Sequence, residues 1–202
     1  AELLATPRKR SLLHLYAWSR PSLTYGYFIR PDDHLFSSTQ LDMARRPTGG
    51  GIVFHTADLA FSALVPTDSS DTMEGYRYMH DIVLAAVKRC LSLSADLLPE
   101  EPTPRTEASR HFCYAKPTRY DVMLGGKKVA GAAQRRVRGA FLHQGSISIA
   151  VPRELDLLRD AETATLIEET TYSMLGATWK PAELEEVRQA LRAALIAEVL
   201  HG

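Results

Sequence analysis

The chain is expected to form an α+β domain, a mixed or antiparallel sheet flanked by helices. Two observations carry this. Short strand-like runs fill most of the first 151 residues, and from Pro152 onward the apolar spacing turns helical. Strands followed by segregated helices are the pattern of that class. Composition supplies a third. With 202 residues, 45% apolar and 24% charged, the chain has enough material for one domain with a real core. We expect a single domain over residues 1–202, with helices in 152–202.

In order, "LLHLYAW" and "LTYGYFI" read as two short strands, with "SRPS" turning between them. "DHLFSSTQLDMA" reads as a short helix. "GIVFH" and "LAFSALVP" read as a second strand pair, joined at Thr56–Ala57–Asp58. The longest helix is expected over "TMEGYRYMHDIVLAAVKRCLSL", where Met79, Ile82, Val83, Ala86 and Cys90 share a face. "EEPTPRTEASRH" carries two prolines and little apolar content, so it reads as a loop. "RYDVML", "GGKKVAGAAQRR" and "AFLHQGSISIAV" read as three strands, the first two joined by Gly-Gly and the last two by "VRG". "RELDLLRD", "AETATLIEETTYSML" and "PAELEEVRQALRAALIAEVL" follow as helices, with Pro181 in the first turn of the last.

Charge narrows the function classes. Lys plus Arg equals Asp plus Glu at 24 each, so no nucleic-acid footprint is expected. The distribution is uneven: Arg45–Arg46 and "RRVR" (Arg135 to Arg138) are basic, which suits an acidic partner. No run of about 18 apolar residues predicts a membrane span. Two cysteines, Cys90 and Cys113, make no disulfide framework, so a cytoplasmic, reducing compartment is the expectation.

Three stretches are candidates for chemistry. In "RRPTGGGIVFH" (Arg45 to His55), glycines allow a ligand close to the main chain, whose N–H groups and a nearby arginine suit an anion or carbonyl. Read alone, it is also a tight turn with incidental charges. In "GGKKVAGAAQRR", a strand lysine can face a carbonyl or phosphoryl oxygen, and Ala130, Gly131 and Ala132 leave room for a ligand. A solvated edge-strand lysine is the alternative. Cys113 follows a polar loop with Arg110, His111 and Lys116 close in sequence. Nearby cations favour the nucleophilic thiolate; a buried core thiol is the other reading. Cys90 lies on an apolar helix face and reads as an inert thiol.

Together, "RRPTGGGIVFH", "DVMLGGKKVAGAAQRR" and "LHQGSISI" resemble, in order and spacing, the lipoate–protein ligase and octanoyltransferase family, related to biotin–protein ligases. The match spans roughly residues 12–150. The resemblance implies a biotin/lipoate protein ligase catalytic domain-like fold. It also implies an acyl pocket bordered by Arg46, Thr48, Gly49, Gly50, Gly51 and His55, with Gly131, Ala132 and Ala133 flanking the ligand. His143 and Gly145 match the closing His-Gly element, and Lys128, rather than Lys127, matches the lysine that contacts the acyl carbonyl or an acyl-adenylate. "CYAKPTRY" resembles the cysteine loop of an octanoyltransferase or lipoyl amidotransferase subgroup, which makes Cys113 the nucleophile. The implied activity is transfer of an octanoyl or lipoyl group to a lipoyl-domain lysine through a Cys113 acyl-enzyme, with no cofactor and no metal. The alternative is an ATP- and Mg-dependent lipoate–protein ligase acting through lipoyl-AMP. Those ligases usually carry Asn-Asp where this chain has Tyr120–Asp121, and many need an accessory domain longer than the tail here. A non-catalytic lipoyl-domain binder is a third reading. Implied partners are lipoyl-domain proteins (glycine cleavage H protein or a 2-oxoacid dehydrogenase E2) and an acyl carrier protein, with neither nucleic acid nor membrane. "AELLA" is the only remnant of the family's first helix.

Overall fold

The computed structural model describes residues 10–31, 35–36, 41–69, 71–92, 94–103 and 111–201. In chain order the strands are β1 (Leu12–Tyr16), β2 (Ser22–Tyr25), β3 (Asp42–Arg45), β4 (Val53–Phe54), β5 (Asp58–Pro66), β6 (Asp96–Leu97), β7 (Val122–Leu124), β8 (Lys127–Val137) and β9 (Ala140–Ser148). The helices are α1 (Thr72–Leu91), α2 (Ala161–Thr170) and α3 (Pro181–His201). A six-stranded antiparallel sheet has the order β1-β5-β9-β8-β7-β6, and a smaller mixed sheet has the order β3-β2-β4. The α+β expectation holds.

The hairpins β7–β8 and β8–β9 form where the turn residues demand them. Gly125 and Gly126 both take positive φ, +56° and +78°, as a two-residue hairpin turn requires. Two apolar cores follow from the strand pattern. One face of the large sheet buries Phe61, Val129 and Ile147 against Val83 and Val87 of α1 and Leu191 and Leu195 of α3. Each such side chain contributes about 1.5–3 kcal/mol when buried, so apolar burial docks both helices. The second core packs Leu23, Val53 and Phe54 of the small sheet against Phe112, Leu155 and Ile167. Asp71 caps α1, accepting from the N–H groups of Met73 and Glu74, and Asp160 caps α2 in the same way.

Several sequence expectations change. The adjacent strands read as pairs are not pairs: β1 and β5 belong to the large sheet, β2 and β4 to the small one. Thr56–Asp58 carries the chain from one sheet to the other. Its carbonyls are satisfied there: Arg188 donates to Thr56 O and Asp58 O, and the Ile149 and Ala150 N–H groups donate to Ala57 O. The helix expected over 33–44 lies partly outside the described residues, and its end is strand β3, parallel to β2. "RELDLLRD" makes only a 3-10 turn, Arg153–Leu157. α2 stops at Thr170, because Tyr172 N–H goes to Lys128 O and the Met174 and Leu175 N–H groups go to Ile149 O. "AELLA" and Arg110 fall outside the described residues. Among the described residues, no helix is long and apolar enough to cross a membrane.

Candidate active site

Between the two sheets lies a cleft of about 370 Å³, including its open mouth. The strip Gly131–Ala133 of β8 and Gln144–Ser146 of β9 forms one wall. Thr24, Val53 and His55 of the small-sheet side face it, with Tyr16, Arg46, Cys113 and Tyr114 completing the lining. Small residues on β8 leave the space.

The cysteine is held by its own backbone. Ile52 N–H donates to His111 O at 2.6 Å, and Cys113 N–H donates to Ile52 O at 3.0 Å. This pairing runs hard against the glycine loop: a Cβ on Gly51 would sit 2.5 Å from His111 O and 2.9 Å from Cys113 N. The glycine stretch thus lets the cysteine segment lie flush beside it, while Gly50 takes φ +83°.

Lys128 reaches the same place by a bulge. Val122 pairs with Ala130 and Met123 with Lys128, so Val129 is an extra residue on β8. Three positions apart on a regular strand, Lys128 and Gly131 would face opposite sides. The bulge turns Lys128 to the Gly131 side. A Cβ on Gly131 would lie 2.2 Å from Lys128 Cε, so glycine is what admits this side chain. The fully buried ammonium donates to Asp121 Oδ2 at 2.7 Å, to Cys113 O at 2.9 Å and to Cys113 Sγ at 3.5 Å. Burial opposes its charge, but Asp121 and Cys113 outweigh burial and hold it above the ordinary lysine range.

Arg46 belongs to a second buried chain. Its guanidinium donates to Thr24 Oγ1 (2.6 Å), Gly51 O (2.7 Å) and Gly49 O (3.2 Å). Burial lowers its pKa, with Cys113 and Tyr16 opposing. Arginine only donates, so Thr24 Oγ1 accepts from it, and the same hydroxyl is hydrogen-bonded to His55 Nε2, 2.7 Å away. His55 Nδ1–H then donates to Asp58 Oδ2 at 2.8 Å. Ser146 Oγ donates to the same oxygen at 2.5 Å, and Tyr114 OH lies 3.1 Å from Ser146 Oγ. The network ties Arg46 on one side of the cleft to the residue after Cys113 on the other.

Of the residues singled out in the sequence, Arg46, His55, Cys113, Gly131, Ala132, Ala133 and Gly145 line the cleft. Lys128 bonds to Cys113 beneath it. Thr48 is buried and donates to Gln144 Oε1 at 3.0 Å. His143 does not join them: it faces the helical side, between Phe61, Tyr76 and His80, with Nδ1 on Gln134 Oε1. Of the cations expected beside Cys113, Arg110 lies outside the described residues, His111 is exposed and Lys116 pairs with Glu101 at 3.0 Å; Lys128 is the cation that contacts it. Sequence reasoning gave no site role to Asp58, Asp121, Tyr114 or Ser146. A carboxylate three residues after His55, and another before the lysine strand, were the available signals.

His80 and His143 form a buried imidazole pair 5.2 Å apart. Burial lowers the His80 pKa from 6.5 to about 4, with Asp121 opposing, and lowers that of His143 well below its usual value. The folded state therefore refuses a proton that the unfolded chain takes up. Stability from His80 is complete above pH 6.5 and is lost as pH falls toward 4. Between pH 7.5 and 5 this amounts to about 2 kcal/mol, or roughly 4–8 °C in Tm. We expect the Tm of His80→Phe, measured by thermal melts, to fall less over that range by this amount. An identical fall in wild type and variant would contradict the assignment.

Comparison with known proteins places this geometry. A family model described as the lipoyl protein ligase A/B catalytic domain matches residues 2–195. An octanoyltransferase LipM of Kyrpidia tusciae is 32% identical over 199 residues, which cover 89% of this chain and 72% of the relative. Matches to other curated LipM relatives span 54–55% of their length. A crystal structure of lipoate-protein ligase A bound with ATP is 26% identical, with a TM-score of 0.67, and the match covers 95% of this chain and 73% of that one. A bi-partite lipoate protein ligase from Thermoplasma acidophilum, described with its E2 lipoyl domain, shares the fold at 21% identity and TM-score 0.68, over 96% of this chain and 74% of that one.

Proposed function

Because the chain belongs to the lipoyl protein ligase A/B catalytic-domain family, we propose that it moves an octanoyl or lipoyl group onto a lipoyl-domain lysine through a Cys113 acyl-enzyme. The observation that carries this reading is Lys128 Nζ, 3.5 Å from Cys113 Sγ and anchored by Asp121. Cys113 Sγ, as thiolate, attacks the carbonyl carbon of an acyl thioester. The oxyanion that develops lies within the field of the Lys128 ammonium. On collapse the C–S bond to the donor breaks, and the departing thiolate takes a proton from solvent. In the second half, the neutral amine of the acceptor lysine attacks the acyl-enzyme, a C–N bond forms, the amine loses a proton and Cys113 leaves as thiolate. The small-residue wall of β8 gives the acyl chain a place to lie, each buried methylene contributing about 0.8 kcal/mol.

This chemistry uses no cofactor of its own. The carboxylate nearest the lysine, Asp121, is already committed to Lys128 and to Thr118, whose N–H lies 2.6 Å from Oδ2. Octanoyl transfer agrees with the names of the similar octanoyltransferases. The test is incubation with octanoyl-carrier protein without ATP, followed by intact mass. The expected result is an octanoyl adduct on Cys113 that disappears when an apo lipoyl domain is added. Absence of the adduct, with modification of the lipoyl domain only in the presence of free acid, ATP and Mg²⁺, would establish the ligase reading instead.

A further inference from the structure

The basic stretches noted in the sequence are not consumed by the cleft chemistry. Arg45 precedes the cleft residue Arg46, and Arg135 follows Ala133 by two residues on the same face of β8. A two-residue step is about 7 Å, so Arg135 stands at the rim above the cleft wall. Tyr27 sits between the two arginines: Arg45 Cζ is 4.8 Å and Arg135 Cζ 5.7 Å from its ring centroid. Tyr27 N–H donates to Thr48 O at 2.9 Å, and Arg135 Nη1 donates to Pro47 O at 3.2 Å, which fixes the cluster to the glycine loop. Phe28 beside it is 87% exposed.

The charge at this rim is unspent. Arg20, Arg77, Lys88 and Arg89 each face a carboxylate within 4 Å. Among the described residues, Arg45, Arg135, Arg136 and Arg138 form no such pair, and all four are exposed. Cation–π contact with Tyr27 holds both guanidinium groups in place, and the N–H groups beyond the one Arg135 gives to Pro47 O suit carboxylate or phosphate oxygens. An exposed aromatic next to pre-positioned arginines is the composition of a protein-docking anchor rather than of a solvated surface.

We propose that Arg45, Tyr27, Phe28 and Arg135 form the docking rim for an acidic carrier protein that delivers the acyl group as a thioester on a phosphodiester-linked arm. The proposal rests on the thioester-transfer reading above. Such a donor brings negative charge twice, on its surface and on its arm, to a rim that holds unpaired cations at the cleft mouth. A lipoyl-domain acceptor is the competing occupant, and the two half-reactions separate them.

The experiment measures acyl-enzyme formation from octanoyl-carrier protein and from octanoyl-pantetheine, which lacks both phosphate and carrier. Wild type is compared with Arg45→Glu/Arg135→Glu and with Arg45→Lys/Arg135→Lys. The expected result is a fall of about tenfold or more in kcat/KM with the carrier-bound donor for the glutamate pair, mainly through KM. The pantetheine donor should change less than about twofold, and added salt should slow the wild type only with the carrier. The lysine pair should keep most of the carrier-dependent rate. Equal losses with both donors would overturn the proposal and make the rim structural. So would an unchanged donor step with slower transfer from preformed acyl-enzyme to the lipoyl domain, which would give the rim to the acceptor. If wild type forms no acyl-enzyme with either donor, the thioester reading itself fails, and the rim assignment falls with it.

Discussion

Cys113→Ser should abolish acyl transfer from a thioester, a loss of about 10³-fold or more, as for removal of a nucleophile elsewhere. The substitution removes the sulfur and little else. Serine fits the half-buried position, and the backbone bond from residue 113 to Ile52 O is unaffected, so the variant should fold as wild type. What it loses is a soft, strongly nucleophilic sulfur in favour of a hydroxyl that is a much weaker nucleophile. Lys128 Nζ, 3.5 Å from Sγ, is a hydrogen-bond donor and cannot act as the base that a serine hydroxyl would need. Cys90 supplies the control. It lies half-buried on α1, burial pushes its thiol up, and no cation pairs with it among the described residues. Cys90→Ser should keep the wild-type rate. Limited alkylation should label Cys113 first, and pre-bound octanoyl donor should protect it. Full activity in Cys113→Ser, dependent on ATP and Mg²⁺, would remove the acyl-enzyme from the mechanism.

Which parts of this site were legible in the sequence follows from the range of the interactions that build them. The β7–β8–β9 meander was legible because its turns carry their own chemistry, Gly125–Gly126 above all, and each strand pairs with its neighbour. The sheet membership of β1, β2, β4 and β5 was not, because alternation marks a strand without naming its partner. Nothing local distinguishes a three-residue hairpin turn from a three-residue crossing, and Thr56–Asp58 is the crossing because Arg188, far along the chain, caps its carbonyls. The glycine stretch, Lys128 and Cys113 were picked out by motif, but their geometry was not. The bulge at Val129 reverses the facing of Lys128, and no residue type announces it. Asp121 follows Tyr120, which sits at φ +70°, a conformation that asparagine tolerates better than tyrosine. The turn at Tyr120 aims Asp121 at Lys128, 2.7 Å away, and a tyrosine there gives no local sign of it. The second aspartate, Asp58, read as the last residue of a turn, and its partners His55 and Ser146 come from the small-sheet side and from β9.

Lys128→Ala should cost transfer about 10²–10³-fold, the usual effect of deleting one group that faces a developing oxyanion. The structure adds a second consequence. Asp121 is fully buried, and its Oδ2 accepts from Lys128 Nζ at 2.7 Å and from Thr118 N–H at 2.6 Å. Removing the lysine alone leaves that carboxylate without its counter-charge, a loss of about 3–5 kcal/mol for a buried pair broken on one side. Low activity in this variant could then follow from unfolding. Lys128→Met/Asp121→Asn separates the two effects. The long apolar side chain fills the space above Gly131, the amide oxygen still accepts from Thr118, and no unpaired charge remains. Removing both partners of a buried ion pair is often close to neutral for stability. The double variant should therefore melt near wild type and still lose about 10²–10³-fold in acyl-enzyme formation, whereas Lys128→Ala should lose both rate and stability. Lys127→Ala, at the exposed hairpin end of β8, should stay within about twofold of wild type in rate. A double variant that is folded and transfers octanoyl at the wild-type rate would show that the Lys128 charge takes no part in the chemistry, and that the pair serves only to hold β7 against β8.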